Sequence, residues 1–319
     1  MATTNPTLQR LAVAWEVPDD PTVIIDLAKA SGILQSAVVA NASHGTSHKY
    51  KIVNALPTGA FRNIGEGIVP TSLSTDRMKI DLWNLSVLIQ EDWKEFANYP
   101  GGKAGWIADN LPAYLEGMGQ TAAKQIIYGT DPTFGSTKGF IGLHQYAKAF
   151  GNVIKRGGTT GGNTSIFAVR WDESNGMSIR KNGTANLIDV VEITGEKPVT
   201  VTTNTTTGAQ LPVYQWMVDA FMTLICPGKK SVAAMTQIDS THLPTVDTMN
   251  QLVHKIYAST GEKRIYCNLD GFRYISLLKD TKYNMFSNDT NYDVALGSWA
   301  GIPIVIDENI SSVETNVLD

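Results

Sequence analysis

The chain has 319 residues, with 26 Lys or Arg against 30 Asp or Glu and a formal net charge of −4. This balance argues against strong sequence-independent binding of nucleic acid, which needs cations gathered on one face, and no run reaches the ~18 apolar residues of a membrane span. Hydrophobic residues make up 43% and charged residues 18%, below the usual charged share of about 25%, which fits a chain that hides much of its surface against neighbours.

A single core stops growing at roughly 250–300 residues, so two lobes, or one lobe with long extensions, are expected. Met1–Gln9 is polar and lacks the apolar stretch of a secretory leader. The expectation is a protein made in a cytoplasm and soluble there.

From Met1 to about Gly45 the sequence reads as an arm with one short helix. Asp20 and Pro21 suit an N-cap and first turn, Val23, Ile24, Leu27 and Ala28 share a face, and Gly32 ends the run. His48 to about Trp93 reads as two extended arms. The first is Lys49–Leu56. The second, Asp76–Gln90, alternates Met78, Ile80 and Leu82 against Arg77, Lys79 and Asp81. Pro57, Gly59, Gly65, Gly67 and Pro70 lie between them. A ribbon two strands wide is marginal alone and must lie on something, and its long connection favours a protruding loop over an ordinary surface hairpin.

Ala104–Gly129 carries the longest helical stripe: Ile107, Leu111, Tyr114, Leu115, Met118, Ala122 and Ile126. Pro112, Gly117 and Gly119 inside it predict a bend or a late start. Gly157–Thr164 reads as a flexible connector. Strands are expected at Ser165–Trp171, Leu187–Ile193 and Val199–Thr203, with a polar turn over Thr202–Gly208. Leu211–Cys226 is apolar with no clear period: strand early, helix or strand later.

Val246, Met249, Leu252, Val253, Ile256 and Tyr257 mark a helix ending near Gly261. Arg264–Asn268 reads as a buried strand, and Asp270 caps a second helix through Phe272, Ile275 and Leu278. Gly301–Ile306 is the final strand, with Pro303 placing it at a sheet edge. The alternation suggests a small α/β-like lobe.

Motifs for chemistry are sparse. Gly157–Gly162 has the glycines of a phosphate loop but lacks the Lys-Ser/Thr that must follow them. Asp289, Asn291 and Asp293 open like a calcium loop, yet Val294 stands where Gly belongs and Ala300 where the closing Glu belongs. His44 and His48 are four apart in a stretch that reads as extended, without the Glu of a zinc-protease helix, and His144, His242 and His254 are isolated. The acid pair Glu91–Asp92 points to opposite sides of its element and reads as a solvated face. Cys226 and Cys267 read as small buried hydrophobes. We therefore expect no catalytic, cofactor or metal site, and no enzyme.

Four segments, in order, resemble the major capsid proteins of tailed phages, specifically the epsilon15-like family. They are Ala55-Leu-Pro-Thr-Gly-Ala-Phe-Arg62 through Gly65-Glu-Gly67 to Ser74-Thr75; Thr164-Ser-Ile-Phe-Ala-Val-Arg-Trp171; Arg264-Ile-Tyr-Cys-Asn268; and Ser298-Trp-Ala-Gly-Ile-Pro-Ile304. The sequence departs from that family at Met177-Ser-Ile-Arg-Lys-Asn-Gly183, where a Gly-Ile-Tyr-Pro-Lys-Gly run is usual.

The resemblance implies an α+β chain of the HK97-like capsid fold. Its parts would be an N-terminal arm (1–45), an extended β-hairpin loop (46–96), a peripheral lobe with a long spine helix (97–238) and an axial lobe (239–319). It implies a structural role: pentamers and hexamers of one chain building an icosahedral head in the virion. That head would enclose double-stranded DNA without sequence-specific binding and without a membrane. A separate scaffolding protein, a portal and a decoration or cement protein are the further partners to look for. The competing readings are an encapsulin-like cage and a two-lobed soluble enzyme or binding protein.

Overall fold

A computed structural model describes residues 31–55, 57–130, 138–158, 162–182, 187–195, 197–204, 208–278, 283–284 and 295–314. The helix expected after Pro21 and the calcium-loop-like run Asp289–Asp293 lie outside them.

The described chain opens with α1 (Gly32–Ser36), whose N-cap Ser31 accepts a hydrogen bond from the Leu34 N–H. Gly32 therefore starts a helix where the sequence suggested a stop. The physical reason is a close approach: a Cβ there would sit 2.6 Å from both the Ile306 carbonyl oxygen and Val305 Cγ1. Strand β1 (Val39–Asn41) follows, then the ribbon of β2 (Ser47–Ala55) and β3 (Ser74–Asp81).

The second arm of the ribbon is two strands, not one. β3 pairs back onto β2, whereas β4 (Trp83–Asp92) pairs with a later strand, β10 (Ala209–Ile225), in another sheet. The break falls at Leu82, which is buried and donates its N–H to the Thr46 carbonyl at 2.9 Å. Alternation runs through both segments, so periodicity alone carried no sign of the change of partner.

Helix α2 (Trp93–Asn98), capped by Asp92, and helix α3 (Gly102–Tyr128) come next. α3 is 27 residues long and runs unbroken through Pro112. Its buried stripe is the one read from the sequence with Trp106, Ala108, Ala123 and Ile127 added, and Tyr114 at its margin. α4 (Leu143–Ala149) had no counterpart in the sequence reading. At seven residues it is too short to show a period, and Leu143, Tyr146 and Ala147 bury it against α3.

Two sheets frame the molecule. In the first, β10 (Ala209–Ile225) is central. One edge of β10 pairs with β4. The other pairs in turn with β9 (Val199–Asn204), β8 (Ile188–Glu192) and β7 (Ser178–Lys181), and β1 extends β7. The apolar run of unclear period is thus one 17-residue strand throughout. Its inward residues Trp216, Val218, Ala220, Met222 and Leu224 pack with α3 in one core.

The second sheet is ordered β13-β14-β15-β12-β6-β11-β5. It comprises β5 (Val153–Lys155), β6 (Thr164–Trp171), β11 (Val232–Ile238), β12 (Glu262–Cys267), β13 (Tyr283–Asn284), β14 (Ala295–Trp299) and β15 (Ile302–Ile306). It separates two cores. Phe167, Val169, Val232, Ala234, Tyr266 and Val305 face the core of α3. Ile166, Ala168, Ala233, Met235, Ile265 and Ile304 face α5 (Val246–Lys255) and α6 (Leu269–Ser276). Lying between the two cores, β6 is covered on both faces, and every one of its residues is buried.

Two local readings are corrected here. α6 is capped by Asn268, whose side chain accepts from the Gly271 N–H, while Asp270 lies in its first turn. β15 is interior, between β14 and β12. Pro303 is tolerated because pairing with β12 begins only at Ile304, one residue later.

Candidate assembly surfaces

Several groups singled out by sequence fall apart as chemical sites. His44 and His48 both lie at the base of the ribbon but turn to Ser43, whose hydroxyl is 3.0 Å from His44 Nδ1 and whose N–H donates to His48 Nδ1 at 3.1 Å. Among the described residues no group of three His, Cys, Asp or Glu could hold a metal. Gly157 and Gly158 pack against His242 and against Asn163 and Asp239, while 159–161 lie outside the description. Cys226 and Cys267 are free and buried. Burial pushes the Cys226 thiol up to about 12 and the Cys267 thiol up as well, so neither is a ready nucleophile at neutral pH. His144 is buried, and desolvation, with Lys148 adding to it, pushes it down to about 4. It stays neutral near pH 7.

What the fold displays instead is apolar surface that the described residues leave exposed. The connection of the ribbon, 57–73, has no strand or helix and holds one small turn, in which the Arg62 guanidinium donates to the Glu66 carbonyl at 2.8 Å and Asn63 N–H to the Glu66 carboxylate at 3.0 Å. Phe61 and Ile64 are fully exposed there, with Val69 82% and Ile68 61% exposed. Burying an aliphatic or aromatic side chain is worth about 1.5–3 kcal/mol, so the four together are a sizeable drive toward a partner. The ribbon behind the tip is thinly covered as well: Met78 is 45% exposed, and Ile80 is partly exposed.

The outward face of the first sheet is a second such surface. Across three strands, Val191, Met217 and Leu88 form one row. Val191 is 48% and Leu88 52% exposed.

The body under these surfaces is stapled by buried polar contacts. The Asp307 carboxylate takes the Ser31 hydroxyl and the Ile33 N–H, the latter at 2.9 Å, on one oxygen. Its other oxygen takes the N–H and side-chain amide of Asn309, both at 2.9 Å. This ties the start of the described chain to the end of β15. Tyr266 receives the Trp171 indole N–H at 2.6 Å and lies 2.5 Å from the Ser36 hydroxyl. Lys103 pairs with Glu192, donates to the Gly195 carbonyl at 2.8 Å and lies 4.4 Å from the ring centre of Tyr214, pinning the first turn of α3 to β8 and β10. Sequence reading missed these contacts because all but the Asp307–Asn309 pair join residues far apart in the chain.

Comparison with known proteins follows the same line. The family model described as Major capsid protein GP7 matches residues 19–318. No curated protein sequence matches the chain. A structure of bacteriophage Epsilon15 is similar, with a TM-score of 0.60 and 19% identity over 89% of this chain and 88% of that one. The capsid of bacteriophage JBD30 is similar with a TM-score of 0.53 and 10% identity, over 88% of this chain and 90% of that one.

Proposed function

The chain belongs to the major capsid protein GP7 family and has an HK97-like capsid fold, and from that premise we propose how it builds its shell. Its role is that of a bacteriophage major capsid protein, a structural component of the icosahedral shell of the virion that assembles with copies of itself. It does so as pentamers and hexamers made in the host cytoplasm. The shell encloses double-stranded DNA as a container, without catalysis and without reading sequence. A scaffolding protein, a portal and a decoration or cement protein are the partners to be sought.

One observation carries this reading: a two-stranded ribbon whose apolar tip, Phe61 to Val69, is left exposed by the described residues of its own chain. Closed rings of identical chains supply such cover, because each copy gives its extension to one neighbour and receives one from the other. We also keep the division into an arm (1–45), an extended loop (46–96), a peripheral lobe (97–238) and an axial lobe (239–319) as a proposal. In it, β5, β6 and β11 of the peripheral segment complete the axial sheet. Negative-stain microscopy of the expressed chain tests the function: shells with five- and six-fold clusters support it, and monodisperse monomers at high concentration overturn it. Nuclease-protected DNA inside particles from infected cells, rather than protein cargo, tests the content.

A further inference from the structure

In the ribbon and on the outward face of the first sheet, like charges lie directly opposite each other across a strand gap, and the two sets are of opposite sign; a further like pair among the described residues, Lys263 opposite Arg170, lies in the second sheet, where Arg170 is buried. In the ribbon, Lys49 faces Lys79 and Lys51 faces Arg77. Strand alternation puts these four side chains on one face of the ribbon, with His48, Tyr50, Ile52, Met78 and Ile80 on the other. All four cations are exposed, and Asp81 answers one of them, bonding Lys79 at 2.8 Å. On the outward face of the first sheet, Asp219 of β10 faces Asp189 of β8. Both are partly exposed. Desolvation and then the charge of Asp219 hold the Asp189 carboxyl above its ordinary range, with Lys181 acting against them. Asp219 takes a long 3.4 Å bond from the Asn84 amide.

Like charges directly opposite on a sheet are destabilising. Each of these sets weakens the element that bears it, and in the single chain no described ion pair joins one set to the other. Both sets span the same distance, one strand gap of about 4.8 Å. A cross-strand pair of cations therefore fits a cross-strand pair of carboxylates two to two. Beside the acids lies the row Val191–Met217–Leu88, exposed at Val191 and Leu88 and partly exposed at Met217, apolar surface on which the methylene stems of Lys and Arg can lie.

We propose that the cationic face of the ribbon docks on the Asp189–Asp219 face of a second copy, so that charge sets which copy surface the ribbon accepts. This rests on the shell reading and specifies its partner face. Asp189, already partly desolvated, binds a cation more strongly than a freely solvated carboxylate would. The pairing raises the rate and specificity of contact more than its final strength, so it acts as a register for assembly.

The test is a charge swap in the full chain. One variant carries Lys51→Glu and Arg77→Glu, a second Asp189→Lys and Asp219→Lys, and a third all four. All four positions are at least partly exposed, and thermal unfolding checks that each variant folds. Each half-swap should slow particle formation at low salt by at least about tenfold, and the four-fold swap should restore most of it. The parent itself should assemble more slowly when salt rises from about 0.01 to about 0.15 M, which shortens the screening length from about 30 to about 8 Å. That measurement, with the milder Asp189→Asn and Asp219→Asn variant, decides the matter if a swapped chain fails to fold. A four-fold swap no better than its halves, half-swaps that assemble like the parent, or a parent indifferent to salt overturns the pairing. So does a ribbon reversal that leaves assembly intact but removes binding to a duplex DNA probe, which would make the face a nucleic-acid contact. A parent that forms no particles sinks the shell reading and this pairing with it, whereas a parent that assembles while the four-fold swap does not sinks the pairing alone.

Discussion

The hydroxyl of Tyr128, the last residue of the long helix α3, donates to the Glu314 carboxyl at 2.7 Å, and the same oxygen accepts the Ser311 N–H at 2.9 Å. Ser165 at the start of β6 donates to the other carboxyl oxygen of Glu314 at 2.6 Å. One buried acid thus joins the end of the described chain to α3 and to the strand that divides the two cores.

Removing one partner from that carboxyl is expected to be costly. Tyr128→Phe should destabilise the folded chain by about 1–3 kcal/mol, the range for a buried polar group left short of a bond. Chemical denaturation of the unassembled subunit measures this. A loss below a few tenths would show the contact to be incidental.

Glu314 also makes the tail respond to pH. Burial raises its carboxyl above the ordinary 4.5, against the pull of the Ser165 and Tyr128 hydrogen bonds. The folded state therefore favours the protonated form. The stability this contributes is complete below about pH 4.5 and is lost as pH rises through the raised value. Protection factors at residues 311–314, that is, hydrogen exchange corrected for its intrinsic pH dependence, should be higher near pH 4.5 than at neutral pH, and Glu314→Gln should flatten the dependence. The nearby ring of His144, held down to about 4, works in the opposite direction, because below about 6.5 the unfolded ring takes up a proton that the folded one does not, and the Glu314→Gln variant separates the two.

Arm docking depends on the closest approach in the molecule's first described helix. Gly32→Ala places a methyl 2.6 Å from the Ile306 carbonyl and Val305 Cγ1, and overpacking of this kind costs about 1–3 kcal/mol. The expected outcome is early proteolytic cleavage ahead of β1 with the cores intact, read by limited proteolysis with mass spectrometry. A protection pattern equal to the parent would place the arm elsewhere.

Deleting Thr58–Val69 removes the exposed tip and none of the buried residues of either core. The shortened chain should remain soluble and folded, with a melting temperature near that of the parent, and form no shells. Closed particles from this deletion would show that the tip is not the clamp between copies.

Mature particles should be held by non-covalent contacts. The ribbon lysines lie on its exposed cationic face, and both thiols are buried. An interface of standard size buries about 1,600 Å² in all, which suffices when repeated around a ring. Boiling in detergent without reductant should give one band at 34.6 kDa. A ladder of higher masses would mean covalent links.

Much of this architecture was legible from residue order because it rests on local period and local chemistry. The stripe from Ile107 to Ile126 specifies α3 however it is packed, Val246 to Val253 does the same for α5, and the alternation around Met78 and the Gly/Pro-rich gap specify a ribbon with a long tip. The four motif segments together pointed to a capsid chain, and the family model agrees. Tertiary structure alone decided which strand partners which. Alternation continues through Leu82, so only pairing with β10 reveals that β4 leaves the ribbon. Leu211–Cys226 has no visible period because β10 buries none of its first four residues, alternates only from Trp216 to Met222, and buries every residue from there to Ile225. Pro303 looked like an edge residue, since nothing in the sequence says that β12 starts its pairing one residue later. The opposed charges of Lys51 and Arg77, and of Asp189 and Asp219, lie 26 and 30 residues apart in the chain. Register brings them face to face, and register is a property of the closed sheet, not of any segment within it.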